Sequence, residues 1–234
     1  MEAYIAVAKT GKYATSESGD TVEMVERPNG GISLVLVDGQ RSGKAAKTIS
    51  NLVARKALSL LAEGVRDGAA ARAASDYLYT SRSGKVMATL NILSIDLLSS
   101  TMVITRNNPA PVFVIEGGEL RQLNDAVDPV GIRRGIRPQI TEISLSRGLT
   151  AICYTDGITY AGDRDGAPFK VEAFIDKLMQ ENLTAPQKWA DAILEEAYRL
   201  DQGRPVDDMS VVVASILPKG KDDIRRLSAR MPLK

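Results

Sequence analysis

The chain has 234 residues, of which 44% are apolar and 25% charged, and its formal net charge is +1. That length and balance suit one globular domain whose core is large enough to fold without disulfide or metal staples. A near-neutral chain offers no whole-molecule field to hold DNA or a lipid surface, so neither nucleic acid nor membrane is expected as a partner.

The sequence contains no histidine and one cysteine, Cys153. The missing imidazole excludes Ser-His-Asp and Cys-His catalysis and histidine-ligated zinc. Any chemistry must use carboxylates, Lys, Arg, Tyr, hydroxyls or backbone. Cys153 lies in the apolar run Leu149-Thr-Ala-Ile-Cys-Tyr154, which reads as core and gives a thiolate no electropositive support. A lone cysteine fits a reducing compartment. The first residues do not read as a secretory leader, and no window nears the roughly 18 apolar residues of a membrane span. The expected location is the cytoplasm.

In chain order, residues 3–8 and 21–26 read as short strands. Residues 32–37, Ile-Ser-Leu-Val-Leu-Val, form a buried strand that Asp38-Gly39 stops. A long helix is predicted over 43–63, with Ala45, Ile49, Leu52, Val53, Leu60 and Leu61 as its apolar stripe. A second helix follows over 69–82. The period then shortens, and 86–96, 101–105, 112–115, 120–123, 140–144 and 149–155 read as strands of antiparallel meanders. Helical spacing returns over 171–180 and 186–200, and 209–216 is a last apolar strand. Two helix pairs separated by meanders suit an α+β fold rather than strict strand–helix alternation. Residues 1–217 form the expected domain. Residues 218–234 are a polar, basic tail expected to be loosely ordered.

Several strands carry aspartate at an end. Val35-Leu-Val-Asp38-Gly39 and Ile152-Cys-Tyr-Thr-Asp156-Gly157 close strands, Asp207-Asp208 opens one, and Asp20 stands just before another. A strand end is rigid and aspartate is short, so each carboxylate is well placed. Converging carboxylates repel unless a cation neutralises them, and all-oxygen ligands favour Mg²⁺ or Mn²⁺. The competing reading is plain turn chemistry, because Asp-Gly is a common turn dipeptide. Asp207-Asp208 is the least turn-like of the four. Gly39-Gln-Arg-Ser-Gly43-Lys44-Ala45 mimics a phosphate-binding P-loop but is one residue short and has Ala where the magnesium-binding hydroxyl belongs.

With these residues in hand, the chain resembles the metal-dependent type 2C protein phosphatases, in particular the bacterial branch typified by the stage II sporulation protein E phosphatase domain. The resemblance is carried, in order, by Ser18-Gly-Asp20, Val37-Asp-Gly-Gln-Arg-Ser-Gly-Lys-Ala-Ala46, Ala88-Thr-Leu-Asn91, Asn108-Pro-Ala-Pro111, Asp128-Pro-Val-Gly131, Tyr154-Thr-Asp-Gly-Ile158 and Asp207-Asp-Met-Ser210. It implies a four-layer α-β-β-α sandwich of two mainly antiparallel sheets flanked by helix pairs. It implies two Mn²⁺ or Mg²⁺ ions, with Asp38 bridging and the Gly39 carbonyl adding an oxygen. Asp156 and Asp207 would complete the second ion's shell. Asp20 would lie near the first ion, and Asp208 would orient waters or a further ion.

The implied activity is hydrolysis of phosphoserine or phosphothreonine on a regulatory protein, of the anti-sigma-factor-antagonist kind, by a metal-activated water. The loop departs from the family pattern at Arg41, which replaces a glycine, and a histidine that serves many relatives as leaving-group acid is absent. Arg41 is a candidate phosphate contact, because guanidinium grips phosphate oxygens in a two-pronged way. The same departures motivate two alternatives: a non-hydrolysing module that binds a partner protein, or a hydrolase of small phosphate esters.

Overall fold

The structure is a computed structural model that describes residues 1–181 and 185–232. Its described residues form two five-stranded sheets in which every pairing is antiparallel. One sheet is ordered β1-β10-β9-β6-β7, from Glu2–Thr10, Met209–Leu217, Thr150–Tyr154, Val112–Glu116 and Glu119–Leu123. The other is ordered β2-β3-β4-β5-β8, from Asp20–Glu26, Ile32–Gly39, Ala88–Asp96, Thr101–Asn107 and Gln139–Ser144.

The layering follows from the period-2 alternation of strands that are apolar on both faces. On β3, Leu34 and Leu36 point into the space between the sheets, where they join Val112, Val114, Cys153 and Val212. Val35 and Val37 point the other way, against α1 (Gly43–Ala62) and α2 (Asp67–Arg82). On β10, Val212 and Ala214 face the opposite sheet, while Val211 and Val213 face α4 (Val171–Gln180) and α5 (Pro186–Leu200). The result is the expected four-layer α-β-β-α sandwich. Cys153 is buried in the inter-sheet core, and burial pushes its thiol up to about 12.

The inner face of α1 matches the predicted stripe at Ile49, Val53 and Leu61 and departs from it at Ala45, Leu52 and Leu60. Ala46, Ile49, Ser50, Val53, Ala54, Ala57 and Leu61 are buried, whereas Ala45 is exposed and Leu52 and Leu60 only half-buried. Small residues win because the helix lies very close to its sheet. A Cβ on Gly39 would stand 2.1 Å from the Ala46 carbonyl oxygen, so only glycine fits there. No helix among the described residues is long and apolar enough to cross a membrane. The described part of the tail, 218–232, forms no helix or strand. It touches the domain where Gly220 N–H donates to Glu2 and where Arg225 donates to the Gly30 carbonyl. Residues 233–234 of the predicted tail lie outside the described residues.

Candidate metal centre

Five aspartates from four places in the sequence meet at one end of the sandwich. Asp20 and Asp38 face each other in register at the ends of β2 and β3. In the other sheet, β9 and β10 are antiparallel neighbours. Asp156, just past β9, therefore stands beside Asp207 and Asp208, just before β10. Asp156 also opens α3 (Asp156–Thr159), a short helical turn directly after the strand. A Cβ on Gly157 would meet the Asp208 carbonyl oxygen at 2.2 Å, so this Asp-Gly pair lets two backbones touch. The glycines after Asp38 and Asp156 thus serve backbone packing, a tighter reason than the turn preference of Asp-Gly.

Asp20 is fully buried and ties the two sheets together. Its Oδ2 accepts hydrogen bonds from Thr155 Oγ1 at 3.0 Å and Ser210 Oγ at 2.5 Å, while its Oδ1 has no hydrogen-bond partner among the described residues. Its backbone carbonyl accepts from two ammonium groups, Lys9 Nζ at 2.5 Å and Lys47 Nζ at 2.7 Å. Burial, and then the neighbouring Lys47 charge, lower the Lys9 pKa. Asp208 is also buried. Its two carboxylate oxygens accept the Lys12 N–H at 2.9 Å and the Gly19 N–H at 2.8 Å, so both are committed to the β1–β2 loop.

The cluster is electrostatically loaded. Burial pushes the Asp38 carboxyl up to about 9, with Asp20, Asp156, Asp207 and Asp208 adding to the effect. Burial raises Asp20 to about 6 against the pull of Ser210 and Lys9. Asp156 is raised by burial and then by Asp207, while a hydrogen bond with Asp38 holds it partly down. Among the described residues, no three acidic side chains are already spaced to hold one ion between them. The donor set nevertheless suits a hard divalent cation. It is all oxygen, it is crowded with like charge, and one buried carboxylate oxygen lacks a partner.

Of the predicted residues, Asp20, Asp38, Gly39, Asp156, Asp207 and Asp208 come together. Arg41 does not join them. It is exposed on the β3–α1 loop at φ 85° and makes no ion pair with them. Sequence reasoning missed Thr155, Ser210, Lys9 and Lys47. Thr155 and Ser210 each lie inside a quoted motif, but nothing in one dimension shows that they share Asp20.

These layers and this carboxylate-lined end define the type 2C phosphatase fold. A sequence model of the stage II sporulation protein E family, SpoIIE, matches residues 28–217, and the chain belongs to that family. It is 25% identical over 211 residues to stage II sporulation protein E of Priestia megaterium, covering 90% of this chain and 36% of that protein. The chain thus spans little more than a third of that curated relative. It superposes with TM-score 0.77, at 24% identity, on the PP2C phosphatase domain and regulatory-domain fragment of SpoIIE from Bacillus subtilis, covering 92% of this chain and 64% of that one. It superposes with TM-score 0.69, at 18% identity, on the catalytic domain of the serine/threonine protein phosphatase PstP solved in complex with two manganese ions, covering 92% and 99%. At these identities the structural likenesses speak to the fold.

Proposed function

We propose that this chain is a metal-dependent serine/threonine phosphatase acting on a phosphorylated regulatory protein of the anti-sigma-factor-antagonist class. The observation that carries the reading is the Asp38 site, a half-buried carboxylate crowded by four others. Such a group is poorly placed as an anion on its own and well placed as a cation ligand. Asp38, Asp156, Asp207, the partnerless Asp20 oxygen and the Gly39 carbonyl would hold Mn²⁺ or Mg²⁺, as one or two ions. When bound, these ions supply Lewis acidity toward phosphoryl oxygens and an acidified water near neutral pH. Membership of the SpoIIE family and the two manganese ions in the PstP catalytic domain support this reading.

The protein's own groups have distinct tasks. Thr155 and Ser210 orient Asp20 from the other sheet, and Lys9 and Lys47 fix its backbone. Asp208 holds the β1–β2 loop against β10 and acts as a positioning residue. Arg41 is exposed between β3 and α1 and has no ion pair among the described residues, so it can meet the phosphate of an incoming phosphoserine. Direct attack on phosphorus by water needs no phosphoenzyme, which fits a chain with no histidine and one buried cysteine. The single buried thiol is compatible with work in the cytoplasm.

The test is phosphate release from a phosphoserine peptide with Mn²⁺ and with excess chelator, for wild type and Asp38→Ala, alongside calorimetric titration with Mn²⁺. Turnover that survives the chelator or the substitution sinks the metal reading. Mn²⁺ binding without turnover favours a partner-binding module. Equal turnover of free phosphate esters favours a small-molecule hydrolase.

A further inference from the structure

Beside the aspartate cluster the surface carries a platform that the hydrolytic chemistry does not use. Tyr13, in the loop between β1 and β2, is 57% exposed. The Arg204 guanidinium lies over its ring, 5.5 Å from the centroid. The two segments are also joined through backbone, since Tyr13 N–H donates to the Pro205 carbonyl at 2.9 Å. The neighbouring Lys12 N–H is held by Asp208. The pair is therefore fixed in place, three residues before Asp207 on one side and one residue past the Asp208-anchored backbone on the other.

Arg204 is exposed and makes no ion pair among the described residues. Acidic neighbours are present but occupied. The Asp201 oxygens accept the Gly162 and Val206 N–H groups at 2.9 and 2.8 Å, and the Asp208 oxygens are committed as described. Arg41 and Lys44, on the loop after β3, are likewise exposed and without an ion pair among the described residues. Arg204 thus offers a fixed guanidinium, close in sequence to the aspartate cluster, with no ion-pair partner among the described residues. Tyrosine and arginine are the side chains that most often dominate binding energy at protein interfaces. A stacked pair held by backbone bonds also loses little freedom on binding.

We propose that the Tyr13–Arg204 platform docks the segment flanking the phosphoserine of the protein substrate, with Arg204 pairing with a carboxylate in that segment. The inference rests on the phosphatase reading above and adds a substrate preference to it: acidic residues beside the phosphorylated one. Tyr13 supplies the flat apolar contact, and Arg204 supplies the charge that selects.

The experiment uses the whole chain with Mn²⁺ and three substrates: a phosphoserine peptide with Asp and Glu flanks, the same peptide with Ala flanks, and p-nitrophenyl phosphate. Affinity for each fluorescently labelled peptide is measured separately by anisotropy. Arg204→Glu should lower kcat/KM on the acidic peptide about tenfold, mainly through KM, and weaken its binding in parallel. Hydrolysis of p-nitrophenyl phosphate should not change, and Arg204→Lys should recover part of the loss. Tyr13→Ala should lower kcat/KM on both peptides about threefold. An equal loss on all three substrates, or no loss on the acidic peptide, overturns the proposal. If wild type hydrolyses none of them, the phosphatase reading fails, and the anisotropy arm still decides docking: equal binding of the acidic peptide by wild type and Arg204→Glu overturns it.

Discussion

Asp208 accepts the backbone N–H of Gly19 at 2.8 Å across 189 residues of sequence. The bond fixes the residue just before Asp20 to the residue just after Asp207, so the two sheets cannot slide apart at their carboxylate-bearing end. Asp208→Ala should leave the Gly19 donor buried and unpaired and free the Lys12 N–H. The expected loss is about 2 kcal/mol in urea unfolding, the usual cost of a stranded buried donor. Asp208→Asn keeps one acceptor and should lose less. Mn²⁺ affinity should fall in Asp208→Ala even under conditions where the variant remains folded. Isothermal titration at matched folded fraction separates the two effects. An unchanged affinity would show that the β1–β2 loop does not set the position of Asp20.

The raised carboxyl groups give a pH dependence of unusual sign. Asp38 is pushed up to about 9 and Asp20 to about 6, both above the ordinary range of an unfolded chain. Between that range and the raised values the folded state binds more protons than the unfolded one. Stability without divalent cation is therefore full at low pH and declines as pH rises through the window from about 4 to about 9. Calorimetry in chelator should show a lower melting temperature at pH 8 than at pH 5.5. Asp38→Asn should remove most of that slope and, at pH 8, melt about 5 °C above wild type. Saturating Mn²⁺ should restore the wild-type melting temperature at pH 8. A melting temperature that rises with pH in chelator would contradict the crowding of these groups.

What the sequence made legible has a common physical origin. The runs 32–37 and 209–216 were readable as strands because both faces are buried and nearly every residue is apolar. Asp38, Asp156 and Asp207 were readable because they end or begin such runs. The inner face of α1 was legible only in part: Ile49, Val53 and Leu61 are buried as the stripe has them, but close approach to Gly39 selects Ala46 over Ala45 and leaves Leu52 and Leu60 half-buried. The supports of Asp20 were hidden for a different reason. Thr155 and Ser210 lie 135 and 190 residues away, and only the packing of one sheet on the other brings them to it. Lys9 and Lys47 look like ordinary surface lysines until the fold places both on one carbonyl.

Far from the cluster, Arg27 and Asp67 form a buried ion pair at 2.8 Å, with side chains only 8% and 7% exposed. Arg27 also donates to the Val65 carbonyl at 3.0 Å and to Ser33 Oγ at 3.2 Å, and Ser94 Oγ donates to Asp67. The pair pins the start of α2 to β3 and β4. Asp67→Ala leaves a buried guanidinium without its anion and should cost about 3–5 kcal/mol. The double variant Arg27→Met with Asp67→Leu removes both charges and should recover most of that loss. Urea unfolding of Arg27→Met, Asp67→Leu and the double variant measures the coupling directly. Mn²⁺ affinity should stay at the wild-type value in the double variant, because these residues do not touch the aspartates.

Arg41 occupies a left-handed backbone conformation, φ 85°, that favours glycine. The loop between β3 and α1 therefore keeps a glycine-like path while carrying an arginine. Strain of this kind costs on the order of 1 kcal/mol and tends to be retained where the side chain does something. Arg41→Gly should stabilise the fold by about 1 kcal/mol and still lower turnover of a phosphoserine peptide, through the loss of a phosphate contact. Arg41→Ala should lower turnover equally without the gain in stability, because alanine shares the strained conformation. Arg41→Lys should not rescue, since an ammonium cannot grip two phosphate oxygens side by side. Denaturant unfolding and steady-state kinetics on these three variants give the answer together. A glycine variant that is more stable and fully active would remove Arg41 from the site and leave its strained backbone without a function.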